Sequence, residues 1–330
     1  MLLPAVFSVG ALAGCATATP SSQYDPAISE WRQGVGWRPI PAGGGAPSAD
    51  KLRTESREAY DAAQHRDALD GFLALRRRYP SSPEAKSVET AFHIAECYYA
   101  LGEETYGEAV ESYREVLKGS PPEEMLKTSL ARIYDIGRAY LDGRARRRFF
   151  GIPYRSPSLG VEILLGPDGL VTNYPFLKDS EDALMEVARY YFGKREYAEA
   201  ERVFERLVRD YPRSTWNETA EFQLAMSIFR QVKGMEYDQG VMRKAKASFN
   251  LYLNNHPRGP QVEEARAHLK EIAEMEGRHD LTIAKYYLRE SQPRAAMLYL
   301  RQVIIANPRT DAAREAREIY ESMEQQRSRS

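Results

Sequence analysis

His93 and Cys97 lie four residues apart, a spacing that puts two metal-ligating groups on one face of a helix. No third ligand is near in sequence. Phe92, Ile94, Ala95 and Tyr98 surround the thiol, the setting of a buried structural cysteine. The acidic pairs Glu103-Glu104 and Glu123-Glu124 have no nucleophile, base or metal motif beside them and read as solvated helix ends. His256, His268 and His279 fall at helix ends or on polar faces and also read as solvated. No Walker loop, GxSxG or HExxH occurs. An enzyme therefore has little support, and no metal or cofactor is expected.

Composition narrows the classes further. The 330 residues carry 46 basic and 47 acidic side chains, a net charge of −1, which argues against nucleic-acid binding through bulk positive charge. Cys15 and Cys97 are the only cysteines, too few for a disulfide scaffold or a multi-cysteine metal site. A mean hydropathy of −0.56 excludes a polytopic membrane protein, while 43% apolar residues suffice for a core.

Residues 1–14 are uncharged and apolar, too short to span a bilayer, and fit the core of a secretory signal. They end in Leu12-Ala13-Gly14-Cys15, which resembles the lipobox of bacterial lipoproteins. The resemblance implies that Cys15 becomes the lipidated first residue of the mature chain. Ala16 and Thr17, rather than Asp, imply sorting to the outer membrane. The sequence departs from the usual signal in having no basic residue before Arg32. Residues 15–50 are rich in Pro, Gly, Ser and Ala with no helical or strand period, and read as a flexible tether. Trp31 and Trp37 within it read as incidental packing or a membrane or partner contact.

From Lys51 onward the pattern is helical, and one spacing recurs five times. An Ala is followed after four residues by a large residue and after eight more by Pro. The instances are Ala68/Phe72/Pro80, Ala109/Tyr113/Pro121, Ala200/Phe204/Pro212, Ala245/Phe249/Pro257 and Ala296/Leu300/Pro308. Positions i and i+4 share a helix face, so the small residue admits a neighbouring helix and the large one fills the space beside it. The proline stops the helix. Partner helices lie upstream, with Ala188/Tyr191 and Ala284/Tyr287 each leading to the marked Ala, and Ala95/Tyr98 doing so with two extra residues. The pattern resembles the tetratricopeptide repeat. The expected fold is an all-α superhelical solenoid of such repeats with a small β-hairpin-like insertion.

The expected divisions are a lipoprotein signal at 1–14, a tether at 15–50, N-terminal repeats at 51–142, an insertion at 143–178, and C-terminal repeats with a capping helix at 179–327. Prolines 121 and 212 are 91 residues apart, room for a repeat whose first helix is Glu123 to Leu141 and whose second is lacking or disguised. In the insertion, Val161–Leu165 and Leu170–Thr172 flank a Gly166-Pro167-Asp168-Gly169 turn, which predicts a β-hairpin. Arg144, Arg146, Arg147 and Arg148 read as helix-end cations or as a contact for lipid, glycan or a partner's acidic face.

In such a solenoid the first helices line the concave face. Residues placed inward by the repeat register are Phe92, Glu96, Tyr99, Tyr134, Arg138, Met185, Arg189, Phe192, Phe222, Met226 and Phe229. Aromatics and Met beside a few charges suit a peptide. The arrangement over Ser56 to Tyr320, apart from the insertion, resembles the BamD family of the outer-membrane β-barrel assembly machinery. It is closest at Tyr211-Pro212-Arg213-Ser214, Ala284-Lys285-Tyr286-Tyr287 and Asn307-Pro308-Arg309-Thr310. His279-Asp280 and Asn307 depart from the family's cadence. The resemblance implies a scaffold lipoprotein on the periplasmic side of the outer membrane. Its implied partners are BamA-like POTRA domains, other assembly-machinery lipoproteins and unfolded outer-membrane proteins. The alternative is a periplasmic repeat adaptor for Tol–Pal or peptidoglycan synthesis, but such adaptors carry an N-terminal coiled coil, and no heptads precede the repeats here.

Overall fold

The computed structural model describes residues 24–32, 36–41, 47–150, 152–232 and 239–328. The expected signal and Cys15 lie outside the described residues. Within the expected tether, β1 (Tyr24–Arg32) pairs antiparallel with β2 (Gly36–Pro41). Trp31 faces Trp37 in this register, and a bulge interrupts the pairing between Tyr24 and Ser29. The tether is thus not featureless, although no alternation announced the strands.

Six helix pairs follow among the described residues. Their members are α1 (Ala49–Asp61) with α2 (His65–Arg78), then, after the single turn α3 (Pro83–Lys86), α4 (Val88–Ala100) with α5 (Tyr106–Lys118). The third pair starts with α6 (Glu123–Leu141), continues through β3 (Arg146–Phe149) and β4 (Ile152–Arg155), and ends with α7 (Pro157–Leu165). After the short α8 (Leu170–Asn173) come α9 (Lys178–Gly193) with α10 (Tyr197–Asp210), α11 (Asn217–Phe229) with α12 (Gln239–Asn255), and α13 (Val262–Arg289) with α14 (Pro293–Ala306). The last helix, α15 (Asp311–Ser328), packs on both α13 and α14. The fold is an all-α tetratricopeptide-type solenoid.

The recurring spacing is the core. Ala68, Ala109, Ala200, Ala245 and Ala296 are fully buried, and so are their i+4 partners Phe72, Tyr113, Phe204, Phe249 and Leu300. Burying each large side chain contributes roughly 1.5–3 kcal/mol. The residue before each proline leaves the helix because the proline ring excludes the α region there. Tyr79, Tyr211 and Asn307 all take φ near −130° and ψ near 60°. Two of them also clamp the entry to their own repeat: Tyr79 donates its hydroxyl to the Pro47 carbonyl (3.0 Å), and Tyr211 to that of Pro175 (2.5 Å).

The turns between paired helices repeat as well. Ala63, Arg195 and Ser291 are left-handed, with φ of 59°, 62° and 56°. The residue after each, Gln64, Glu196 and Gln292, donates its N–H to the carbonyl of Ala59, Tyr191 and Tyr287. Hydroxyls cap helix starts: Ser82 caps α3 with Pro83 in its first turn, and Thr310 accepts from the Ala313 N–H at the start of α15.

The insertion differs from expectation. Residues 157–165 and 170–173 are helical, and the hairpin is made instead by the arginine-rich segment, with Arg146 facing Arg155 and Phe149 facing Ile152. A short apolar run such as Val161–Leu165 suits strand or helix alike, and its packing decides. Here it docks on α6. A Cβ on Gly160 would stand 2.6 Å from the Gly137 carbonyl oxygen and 2.8 Å from the Leu141 nitrogen, so the two backbones touch. Gly160 and Leu164 thus occupy the small and large positions of the repeat. The missing second helix is α7, disguised by Gly for Ala, Leu for an aromatic, and an early stop at Gly166-Pro167. Ile163, Leu164, Leu170 and Val171 join the core shared with α4 to α10.

Candidate partner-binding surfaces

Helix α6 touches α4 on one side and α9 on the other, so these first helices lie side by side. Along them the accessible residues form a series of guanidinium–aromatic pairs. Arg132 lies 4.2 Å above the Tyr99 ring, which stacks on Tyr106. Arg138 lies 5.6 Å from the Tyr134 ring and 3.5 Å from the Glu186 carboxylate. Arg189 lies 4.7 Å above Trp216, whose indole N–H donates to Asp182. Such pairs present flat cationic and aromatic faces, able to stack on a peptide and to hydrogen-bond its carbonyls and carboxylates.

Behind this row the polar groups are tied down. Glu96 accepts from the Tyr113 hydroxyl and, at 3.4 Å, from Arg132 Nε. Burial and the Glu96 carboxylate push the Tyr113 phenol far above its ordinary range. Burial raises Tyr134 to about 12. Asp179 is raised by burial and by the neighbouring Asp182 and Asp135 carboxylates, so one end of the row is acidic.

Of the inward-facing set, Phe92, Glu96, Tyr99, Tyr134, Arg138 and Phe192 are half-buried, and Arg189 is exposed. The other four are corrected. Met185, Phe222, Met226 and Phe229 are buried in the core, where no partner reaches them. On α4 and α6 the named positions keep part of their surface accessible. At α11 the neighbours close over the same positions: Phe222 packs on Phe249 and Tyr252, and Phe229 on Phe249 and His268. Sequence reasoning missed Arg132 and Trp216, which complete two of the pairs; the one signal was the position of Arg132 within a turn of Tyr134, while Trp216, six residues before Phe222, carried none.

Two of the histidines expected to be solvated, His256 and His268, also need correction. His268 stacks on Phe249 at 5.4 Å between ring centres, and His256 Nε2 lies 3.3 Å from the buried Glu221 carboxylate. Imidazole has an apolar body, and here it fills space between helices. The Cys97 thiol is fully buried and pushed up to about 12 by burial, so it stays protonated and inert. His93 packs among Tyr60, Phe72 and Phe92, and no cluster of metal-ligating groups occurs among the described residues.

A second surface lies on α14. Ala296, Leu300 and Val303 face the core, yet Leu298 and Ile305 on the opposite side are 69% and 66% exposed. Arg294 and Arg301 flank them. On the loop before α9, Phe176 is wholly exposed, just after the Tyr174 carbonyl, which accepts from Ser180, and the Pro175 carbonyl, which accepts from Tyr211.

The fold defines the class: a helical-repeat protein of the tetratricopeptide type. Residues 168–329, just under half of the chain, match the family model described as YfiO, outer membrane lipoprotein. That family is the one to which BamD belongs. Among curated proteins, none matches the chain. Solved structures similar to it include a tetratricopeptide repeat protein from Parabacteroides merdae, 15% identical, with a TM-score of 0.32 over 83% of this chain and 97% of that one. Another is the C-terminal part of a TPR repeat-containing protein from Cytophaga hutchinsonii, 14% identical, TM-score 0.33, covering 82% and 88%. These superpositions are too loose to carry a function across. No helix among the described residues is long and apolar enough to cross a membrane.

Proposed function

We propose that this chain is a non-enzymatic scaffold lipoprotein of the machinery that assembles outer-membrane β-barrel proteins. In this reading Cys15 is acylated and holds the chain on the periplasmic side of the outer membrane. The C-terminal pairs dock a POTRA domain of a BamA-like barrel, and the stripe of Tyr99, Tyr134, Arg138 and Arg189 receives extended segments of unfolded outer-membrane proteins. Other lipoproteins of the same machinery are further partners. The observation that carries the reading is the match of residues 168–329 to the outer membrane lipoprotein family. The apolar row of Leu298 and Ile305 lies within that matched half, where such a docking face is needed.

The test is affinity purification of the full chain from its own membranes. Co-purification of a BamA-like barrel, lost on Leu298→Glu with Ile305→Glu, is the expected result. Recovery of Pal or a peptidoglycan synthase in its place would overturn the reading.

A further inference from the structure

The β3–β4 hairpin lies outside the repeat pattern. Residues 144–155 contain Arg144, Arg146, Arg147, Arg148 and Arg155 and no acid. This segment therefore carries +5, while the remainder of the chain sums to −6. The register sets Arg146 directly across from Arg155, an arrangement of like charges that weakens an antiparallel pair. At the turn, Phe150 is left-handed (φ 49°), which a bulky residue rarely adopts, and its side chain is 90% exposed. Tyr154 beside Arg147 is exposed too. The nearby acids lie on the body side of the hairpin: Asp142 pairs with Arg144 at 3.4 Å, and Glu104, Glu108, Glu111 and Glu162 line the cavity that Arg146 and Arg147 edge.

Two unfavourable features thus coincide in one short hairpin: like-charged arginines set across from one another, and aromatic rings exposed to water. One kind of surface relieves both. Anionic phosphates neutralise the arginines, and the headgroup–acyl boundary takes the rings. We propose that this hairpin docks the folded body onto a bilayer bearing anionic phospholipid headgroups. Phe150 and Tyr154 enter the boundary, and Arg146, Arg147 and Arg155 bind phosphates. Acylation at Cys15 with a long connecting segment fixes location but not orientation. A second contact in the third helix pair, more than a hundred residues along the chain, sets how the solenoid faces the membrane.

The proposal borrows only the membrane setting from the function proposed above, and it is tested without acyl chain or partner. The full chain carrying Cys15→Ser is sedimented with phosphatidylcholine vesicles, and with vesicles containing about one-third phosphatidylglycerol. Binding to the anionic vesicles alone, weakening with salt, is expected. Arg146→Gln with Arg155→Gln lowers it roughly 25-fold, about fivefold per arginine, with an unchanged circular dichroism spectrum. A fluorophore on Phe150→Cys, selective because Cys97 is buried, shifts to the blue on the same vesicles; if the paired glutamine variant fails to fold, this reading decides alone. Equal binding to both vesicles, an unchanged affinity of the glutamine variant, or no blue shift overturns the proposal. So does full displacement by inorganic phosphate, which assigns the site to a free anion, or equally tight binding to polyglutamate, which assigns it to an acidic protein segment.

Discussion

The third and fourth helix pairs, α6/α7 and α9/α10, solve one packing problem with different residues. In the fourth, Ala200 and Phe204 are fully buried, Arg195 turns the chain, and Tyr211 closes the repeat on Pro175. In the third, Gly160 and Leu164 hold the corresponding positions, a β-hairpin replaces the three-residue turn, and Gly166-Pro167 stops the helix after nine residues. The stacking of the solenoid survives because it needs a small residue beside a large one at i+4 and nothing else from the second helix. Whatever lies between the two helices is free to change, and there the chain carries its cationic hairpin.

The largest test of that equivalence is truncation of the two large residues. Phe204→Ala should cost about 3–5 kcal/mol, and Leu164→Ala about 2–4, in urea unfolding. A cost below about 1 kcal/mol for Leu164→Ala would mean that α7 is an ornament rather than half of a repeat. Next is the contact between α6 and α7. Gly160→Ala drives a Cβ into the backbone of Gly137 and Leu141 and should destabilise by about 1–3 kcal/mol, read as a lower Tm. Gly193→Ala at the end of α9 meets nothing within 4 Å and should be neutral or stabilising by about 0.5 kcal/mol. The smallest effect sharpens the contrast of the turns. Arg195→Gly removes the side chain from a left-handed residue and should raise stability by about 0.5 kcal/mol. The left-handed Gly143, where the third pair leaves its first helix, already has this freedom.

The five marked repeats were legible because each is a local device. A small residue, a large one four positions on and a helix-stopping proline act within one helix and its boundary, so short spacing carries them. Of the third repeat only the first helix was legible, because the identity of α7 rests on its contact with Gly137, more than twenty residues away. Read locally, Val161–Leu165 and a Gly-Pro-Asp-Gly turn are a better hairpin than the arginine-rich segment that forms one. The 51-residue interval from Pro257 to Pro308 has a comparable cause: α13 runs for 28 residues, joining a spacer to the first helix of the last pair.

The partner surface divides along the same line. The register of the first helices chose residues facing one side, and on α4 and α6 most remain accessible. Whether that side is open is a property of neighbours. On α11, residues at the same register are sealed by Phe249, Tyr252 and His268.

By itself the sequence determined the repeat class, the core positions of the five marked repeats and the burial of Cys97, because these follow from helical periodicity. Tertiary structure decided which apolar run became a helix, where the hairpin stands, and which of the inward residues a partner can touch. Each of those depends on surfaces brought together from distant parts of the chain, and local spacing does not encode what packs against it.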